Sequence, residues 1–90
     1  MNKQSLVKEW ISQTKHSNKA SNLFYEGRTI YSYGHHHPLG RIVGGKNSKE
    51  AIVNTKKVNS STSRQLTAVM KDLRANGFVM FDMRSGDRIL

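Results

Sequence analysis

The 90-residue sequence has no cysteine. That excludes disulfide bridges, thiolate metal sites and a cysteine nucleophile. Small secreted domains usually carry disulfides, so the absence points to the cytoplasm. No apolar run approaches the roughly 20 residues of a membrane span. Residues 1–20 lack the apolar core of a secretory signal, so no membrane contact is expected. Acidic residues are scarce, six Asp and Glu in all. No carboxylate pair has a suggestive spacing and no nucleophile motif surrounds a serine, so the expectation is a protein that is not an enzyme and holds no cofactor.

Against those six acids stand fifteen Lys and Arg, a formal charge of +9 and a pI near 10.3. A domain this basic calls for a polyanionic partner, and phosphates are the commonest large polyanions in a cell. Nucleic acid, DNA or RNA, is the first expectation. A nucleoprotein or an acidic protein is the second, and plain solubility the bland one. Hydrophobic residues make up 36% and charged residues 23%, a globular balance. A chain of this length forms one domain, here 1–90, and buries only about 60–65% of its unfolded surface, which leaves no room for a deep cofactor cleft.

Periodicity predicts an N-terminal helix over about 5–16, with Leu6, Val7, Trp10 and Ile11 on one face. Residues His16 to Asn22 are polar and read as a loop. Short strands follow between about 22 and 54. Leu23-Phe24-Tyr25 leads into Glu26-Gly27, and Arg28 to Tyr33 leads out. Leu39 to Val43 and Glu50 to Asn54 complete the run. A helix over about 63–76 repeats Leu66, Val69, Met70 and Leu73 at i, i+3, i+4 and i+7, with Thr62 and Gln65 as a capping box and Gly77 as a left-handed cap. A last strand covers about 78–82, and 84–87 reads as a turn. The expected fold is α+β: a small antiparallel sheet of about four to five strands with two helices packed on one face.

His35-His36-His37 suggests zinc or a metal-dependent nuclease. On extended chain, however, neighbours point to opposite faces, so His36 would not share an ion with the other two, and carboxylates are few. A polar loop is the plainer reading. In Gly44-Gly45-Lys46-Asn47-Ser48, Gly45 and Lys46 follow Gly40 at a phosphate loop's spacing, but Asn47 stands where Ser or Thr must bind magnesium, and a hairpin turn fits better. Lys56, Lys57, Ser61, Thr62 and Arg64 cluster at the expected helix start. Free N–H donors, hydroxyls and cations there together suit phosphate. Arg41, Lys46 and His36 are flanking candidates. Tyr25, Tyr31 and Tyr33 are candidates for an aromatic platform if they face solvent, and for the core if they face the helices.

Phe24-Tyr25-Glu26-Gly27, then Thr29-Ile30-Tyr31-Ser32-Tyr33-Gly34, His36 and Pro38-Leu39, resembles a family of small uncharacterised domains found mainly in tailed bacteriophages and their hosts. That family runs a glycine, an isoleucine, Ser-Tyr-Gly and His-Phe-Pro-Ile-Ala, and later an Asn-Thr pair and Tyr-Ser-x-Thr-Thr-Ser-Lys-His. Asn54-Thr55 matches the pair, and Val58 to Gln65 occupies the place of the last run. Val58 replaces its tyrosine, Gln65 its second histidine, and His37 the phenylalanine. The resemblance covers about half of the chain. It implies a phage-related origin, with the host cytoplasm as the setting, and carries no established activity. Joined to the basic charge, that origin suggests an accessory protein binding nucleic acid or a nucleoprotein, or else an inhibitor of a host enzyme or defence complex.

Overall fold

The computed structural model describes residues 2–44, 48–56 and 60–89. Helix α1 spans Lys3–Ser12 and α2 spans Ser60–Ala75. The strands are β1 (Ser17–Ala20), β2 (Leu23–Glu26), β3 (Thr29–Ser32), β4 (Pro38–Val43), β5 (Glu50–Val53), β6 (Val79–Asp82) and β7 (Arg88–Ile89). They form one sheet in chain order, antiparallel throughout except for β5 and β6. That exception follows from α2, which carries the chain back across the sheet so that β6 must run parallel to β5. The α+β class stands, and the strand count rises from the expected four to five to seven. Among the described residues no helix is long and apolar enough to cross a membrane.

The two additional strands lie at the sheet's two edges. The expected loop at His16 to Asn22 contains β1, where only Ala20 is buried and Asn18 instead bonds Glu9. An edge strand with so little covered area needs no apolar alternation. β7 is two residues long and pairs with Met80 and Phe81. Its partner strand holds it, and its own sequence carries little signal.

Helix α1 begins earlier than its apolar spacing implies, because the Asn2 side chain accepts the Ser5 N–H at 2.7 Å. It ends at Gln13, which takes a left-handed conformation with φ 55°. Helix α2 ends in a Schellman turn: the Phe78 N–H reaches the Leu73 carbonyl at 2.9 Å and the Gly77 N–H reaches that of Arg74 at 3.0 Å. Gly77 supplies the required positive φ of 80°.

Both helices cover the same face of the sheet. Leu6, Val7 and Trp10 of α1 and Val69 and Leu73 of α2 pack with Leu23, Tyr25, Ile30, Ala51, Val53 and Met80 of the strands. Trp10 lies over Gly40, where an added Cβ would sit 3.6 Å from its Cη2. Its indole N–H donates to the Arg28 carbonyl at 3.0 Å. A bulge between Ile30 and Tyr31 shifts the β3–β4 register, and the extra residue, Leu39, joins the core.

The buried stripe of α2 is Thr62, Gln65, Val69 and Leu73, rotated from the apolar repeat so that Leu66 and Met70 flank it. Thr62 and Gln65 lie inside the helix and not at its start. The Gln65 side chain accepts from the buried Ser32 hydroxyl and donates to Asn22 Oδ1 at 2.7 Å. The expected capping box is thereby corrected: Gln65 is committed to the core. Replacing Ser32 with alanine leaves the Gln65 carbonyl oxygen buried without its donor, and is expected to cost about 1–3 kcal/mol in a urea unfolding measurement.

Tyr25 ties the sheet to α1. Its hydroxyl donates to Glu9 Oε1 at 2.5 Å, and Asn18 donates to the same oxygen at 2.9 Å. These bonds, Tyr25 first, hold the Glu9 carboxyl below its ordinary value, while burial and then the Glu9 bond push Tyr25 up to about 12. Asp82, bonded by the Arg84 N–H and the Thr55 hydroxyl, is also lowered. Depressed carboxyls contribute stability above their unfolded values and lose it as pH falls. The raised tyrosine contributes fully below its unfolded value of 10.0 and loses it as pH rises toward about 12. The urea midpoint should therefore drop at both extremes. Tyr25→Phe should flatten the alkaline drop between those two values, and Glu9→Gln should shrink the acid one.

Candidate functional site

With both helices on one side, the other face of the sheet is covered by no helix. Residues directly opposite each other across strands share a face. One transverse row runs Lys19, Phe24, Tyr31 and Pro38. The next runs Ser17, Glu26, Thr29, Arg41, Ile52, Phe81 and Arg88. Core partners in the intervening positions force this arrangement: Leu23, Tyr25, Ile30 and Ser32 point at the helices, so Phe24, Glu26, Thr29 and Tyr31 point away.

Phe24 and Tyr31 are half-buried and stack on each other, with ring centroids 5.1 Å apart and planes 19° from parallel. His35, in the turn after β3, folds back so that its ring meets Phe24 edge-on at 5.1 Å and Tyr31 at 5.0 Å. The His35 Nε2 is bonded to the Glu26 carboxylate. Three rings from two strands and a turn thus form one patch. Exposed Lys19 stands beside it in the row, and exposed Arg41 and Arg88 lie in the neighbouring row. Opposing them on this face are Glu26, engaged by His35, and half-buried Glu50. The two stacked rings take one face of each other, so the surface offers planar groups the remaining aromatic surface of the pair, and offers anions ammonium and guanidinium groups.

The residues singled out from sequence are dispersed. Ser61 and Arg64 are exposed on the first turns of α2 and line a groove between the two helices. Thr62 is buried beside Ser32, so its hydroxyl faces the core and not a ligand. Lys56 is exposed in the segment after β5. Arg41 is on the uncovered sheet face, across the sheet from α2, and His36 is exposed in the turn after β3 with its ring against His37. Lys46 and Lys57 lie outside the described residues, as does most of the Gly44–Ser48 turn. Of the three tyrosines, Tyr25 is in the core, Tyr31 is in the aromatic patch, and Tyr33 is 53% exposed at φ 68°.

The histidines do not converge: His35 goes to Phe24, Tyr31 and Glu26, while His36 goes to His37. Among the described residues no three His, Asp or Glu side chains are placed to hold a metal ion. Among the described residues the cations are divided between the helices and the open sheet face. The helices carry Lys3, Lys8, Arg64, Lys71 and Arg74 against Glu9 and Asp72, and the open face carries its own three. Phe24, Lys19, Phe81 and Arg88 were absent from the candidates drawn from sequence. The alternation of β2 contains Phe24's outward direction, but only the hairpin register sets it beside Tyr31.

No protein-family model, curated protein or solved structure matches the chain.

Proposed function

We propose that this protein binds single-stranded nucleic acid, DNA or RNA, on the uncovered face of its sheet. The stacked Phe24–Tyr31 pair closed by His35 carries the reading. Unpaired bases expose π-faces that stack on aromatic side chains regardless of sequence, whereas in a duplex those faces are occupied by neighbouring bases. Lys19, Arg41 and Arg88 are then the phosphate contacts, and the overall charge of +9 draws the strand in. Salt dependence follows from the same count. Three phosphate contacts to a single strand give a slope of log affinity against log salt of about −2. Fluorescence anisotropy with an oligonucleotide of about 12 residues, within the span such surfaces cover, should show tighter binding to the single strand than to its duplex, and that slope. Absence of binding at low salt would remove the proposal.

A second reading rests on the other half of the same face, where Val43, Ile52, Val79 and Phe81 are half-buried and largely aliphatic. Such a surface suits a protein partner, the net charge of +9 favours an acidic one, and the phage-family resemblance gives this reading its setting: an inhibitor of a host enzyme or defence complex in the host cytoplasm. The nucleic-acid reading takes the same setting as a phage accessory protein. Capture of a partner from host lysate that survives nuclease treatment would favour the protein reading, and loss of the partner on that treatment would favour nucleic acid.

A further inference from the structure

On the helical side of the molecule, a groove of about 510 Å³ runs between α1 and α2. That is the size of a small-molecule site, which typically spans about 300–1,000 Å³. Buried Val7 and Leu23 give it an apolar floor. Exposed Lys3, Arg64 and Lys71 line it, with Asp72 as its one carboxylate. None of the three cations forms a salt bridge among the described residues. Arg64 and Lys71 are seven residues apart, about 10 Å along the helix at about 1.5 Å per residue, with small Ala68 between them on the same wall. The side-chain amides of Gln4 and Asn22 also line the groove. Gln65 Nε2 occupies the Asn22 oxygen, which leaves the Asn22 NH₂ group without a partner among the described residues.

A concave site with an apolar floor, amide hydrogen-bonding groups and an excess of uncompensated cations fits a molecule with a flat, polar-edged body and an anionic end. We propose that the α1–α2 groove binds one phosphate-bearing nucleotide, its base over Val7 and Leu23 within reach of the Gln4 and Asn22 amides, and its phosphate between Lys3, Arg64 and Lys71. The same chemistry is offered by a free nucleoside monophosphate and by the phosphorylated 5′ end of a strand. The groove and the aromatic patch lie on opposite sides of the sheet, so this site goes beyond the single-strand reading and does not depend on it.

The test is an amide chemical-shift titration of the full chain with adenosine, cytidine, guanosine and uridine monophosphates, with inorganic phosphate, and with one short oligonucleotide carrying either a 5′ phosphate or a 5′ hydroxyl. With the mononucleotides, saturable shifts at residues 3–7, 22–23 and 61–72 support the site. Combining Arg64→Ala with Lys71→Ala should weaken the nucleotide Kd by about tenfold or more, since charge-assisted hydrogen bonds are lost, while Arg41→Ala on the opposite face should leave it unchanged. Groove shifts with the 5′-phosphorylated oligonucleotide but not its hydroxyl counterpart identify a strand end as the ligand; shifts with mononucleotides alone identify the free nucleotide. Inorganic phosphate acting as strongly as the nucleotides, shifts only on the sheet face, or no saturation overturns the proposal. Tyr31→Ala, which addresses the other site, should leave the groove shifts intact.

Discussion

Replacing Tyr31 with alanine should weaken binding to a single-stranded oligonucleotide by about 5- to 150-fold, and Phe24→Ala should do the same. The range is the worth of one base stacked on one ring, about 1–3 kcal/mol. Because the two rings stack on each other at 5.1 Å, removing either also frees its neighbour to move. The double variant should therefore lose less than the product of the two single effects. Tyr31→Phe keeps the π-face and should bind nearly as the parent does. Duplex binding, which uses phosphates alone, should barely change. Stability is the control. The cross-strand pair contributes about 0.2–1 kcal/mol to the sheet, too little to unfold the domain. An affinity loss with a preserved melting transition is thus a surface effect. Parent-like affinity in both single variants, with the fold intact, would show that the strand does not use this face.

The elements readable from sequence are those whose own residues alternate between buried and exposed. The later part of α2 is legible because Val69 and Leu73 repeat at helical spacing, and its end is legible because Gly77 takes the left-handed turn. The β2–β3 hairpin is legible through Gly27, with φ 59°, between two alternating runs. β1 is not, because an edge strand that buries one side chain has no period to detect. The parallel β5–β6 pair was implicit in the strand–helix–strand order, yet adjacent short strands on either side suggested an antiparallel sheet. The start of α2 misled for a different reason. Thr62 and Gln65 have the residue types and spacing of a cap, and nothing local shows that Ser32, thirty residues earlier in the chain, lies beneath them.

The aromatic patch shows the same limit. Tyr31 was a candidate on alternation alone, but its partners Phe24 and His35 come from another strand and from a turn that folds back. Charge was legible as a total and not as a pattern. The fifteen cations are a property of the composition, whereas their division between helices and open face depends on which way each strand turns.

The largest effect on stability is expected at Trp10, the sole tryptophan, which is 0% exposed. Trp10→Ala removes the largest core side chain and leaves a cavity that the stiff sheet behind it does not fill, a loss of about 3–5 kcal/mol. A domain of this length has a total stability of about 4–13 kcal/mol at ordinary values per residue. The substitution should therefore remove from about a quarter of that stability to all of it, and lower the melting temperature read by far-ultraviolet circular dichroism. Trp10→Phe retains most of the volume but removes the indole N–H that bonds the Arg28 carbonyl, and should cost about 1–3 kcal/mol. The contact is reciprocal. Gly40→Val would place a Cβ 3.6 Å from the Trp10 ring and 3.3 Å from the Ile52 carbonyl oxygen, with further methyls beyond it, and should cost about 1–3 kcal/mol through overpacking. These changes also separate scaffold from contact. Trp10 packs on the helical face, behind the strands that present Phe24 and Tyr31, so a folded Trp10→Phe protein should bind a single strand with parent affinity. Loss of binding in that folded variant would mean that the strand engages the helical layer and not the sheet.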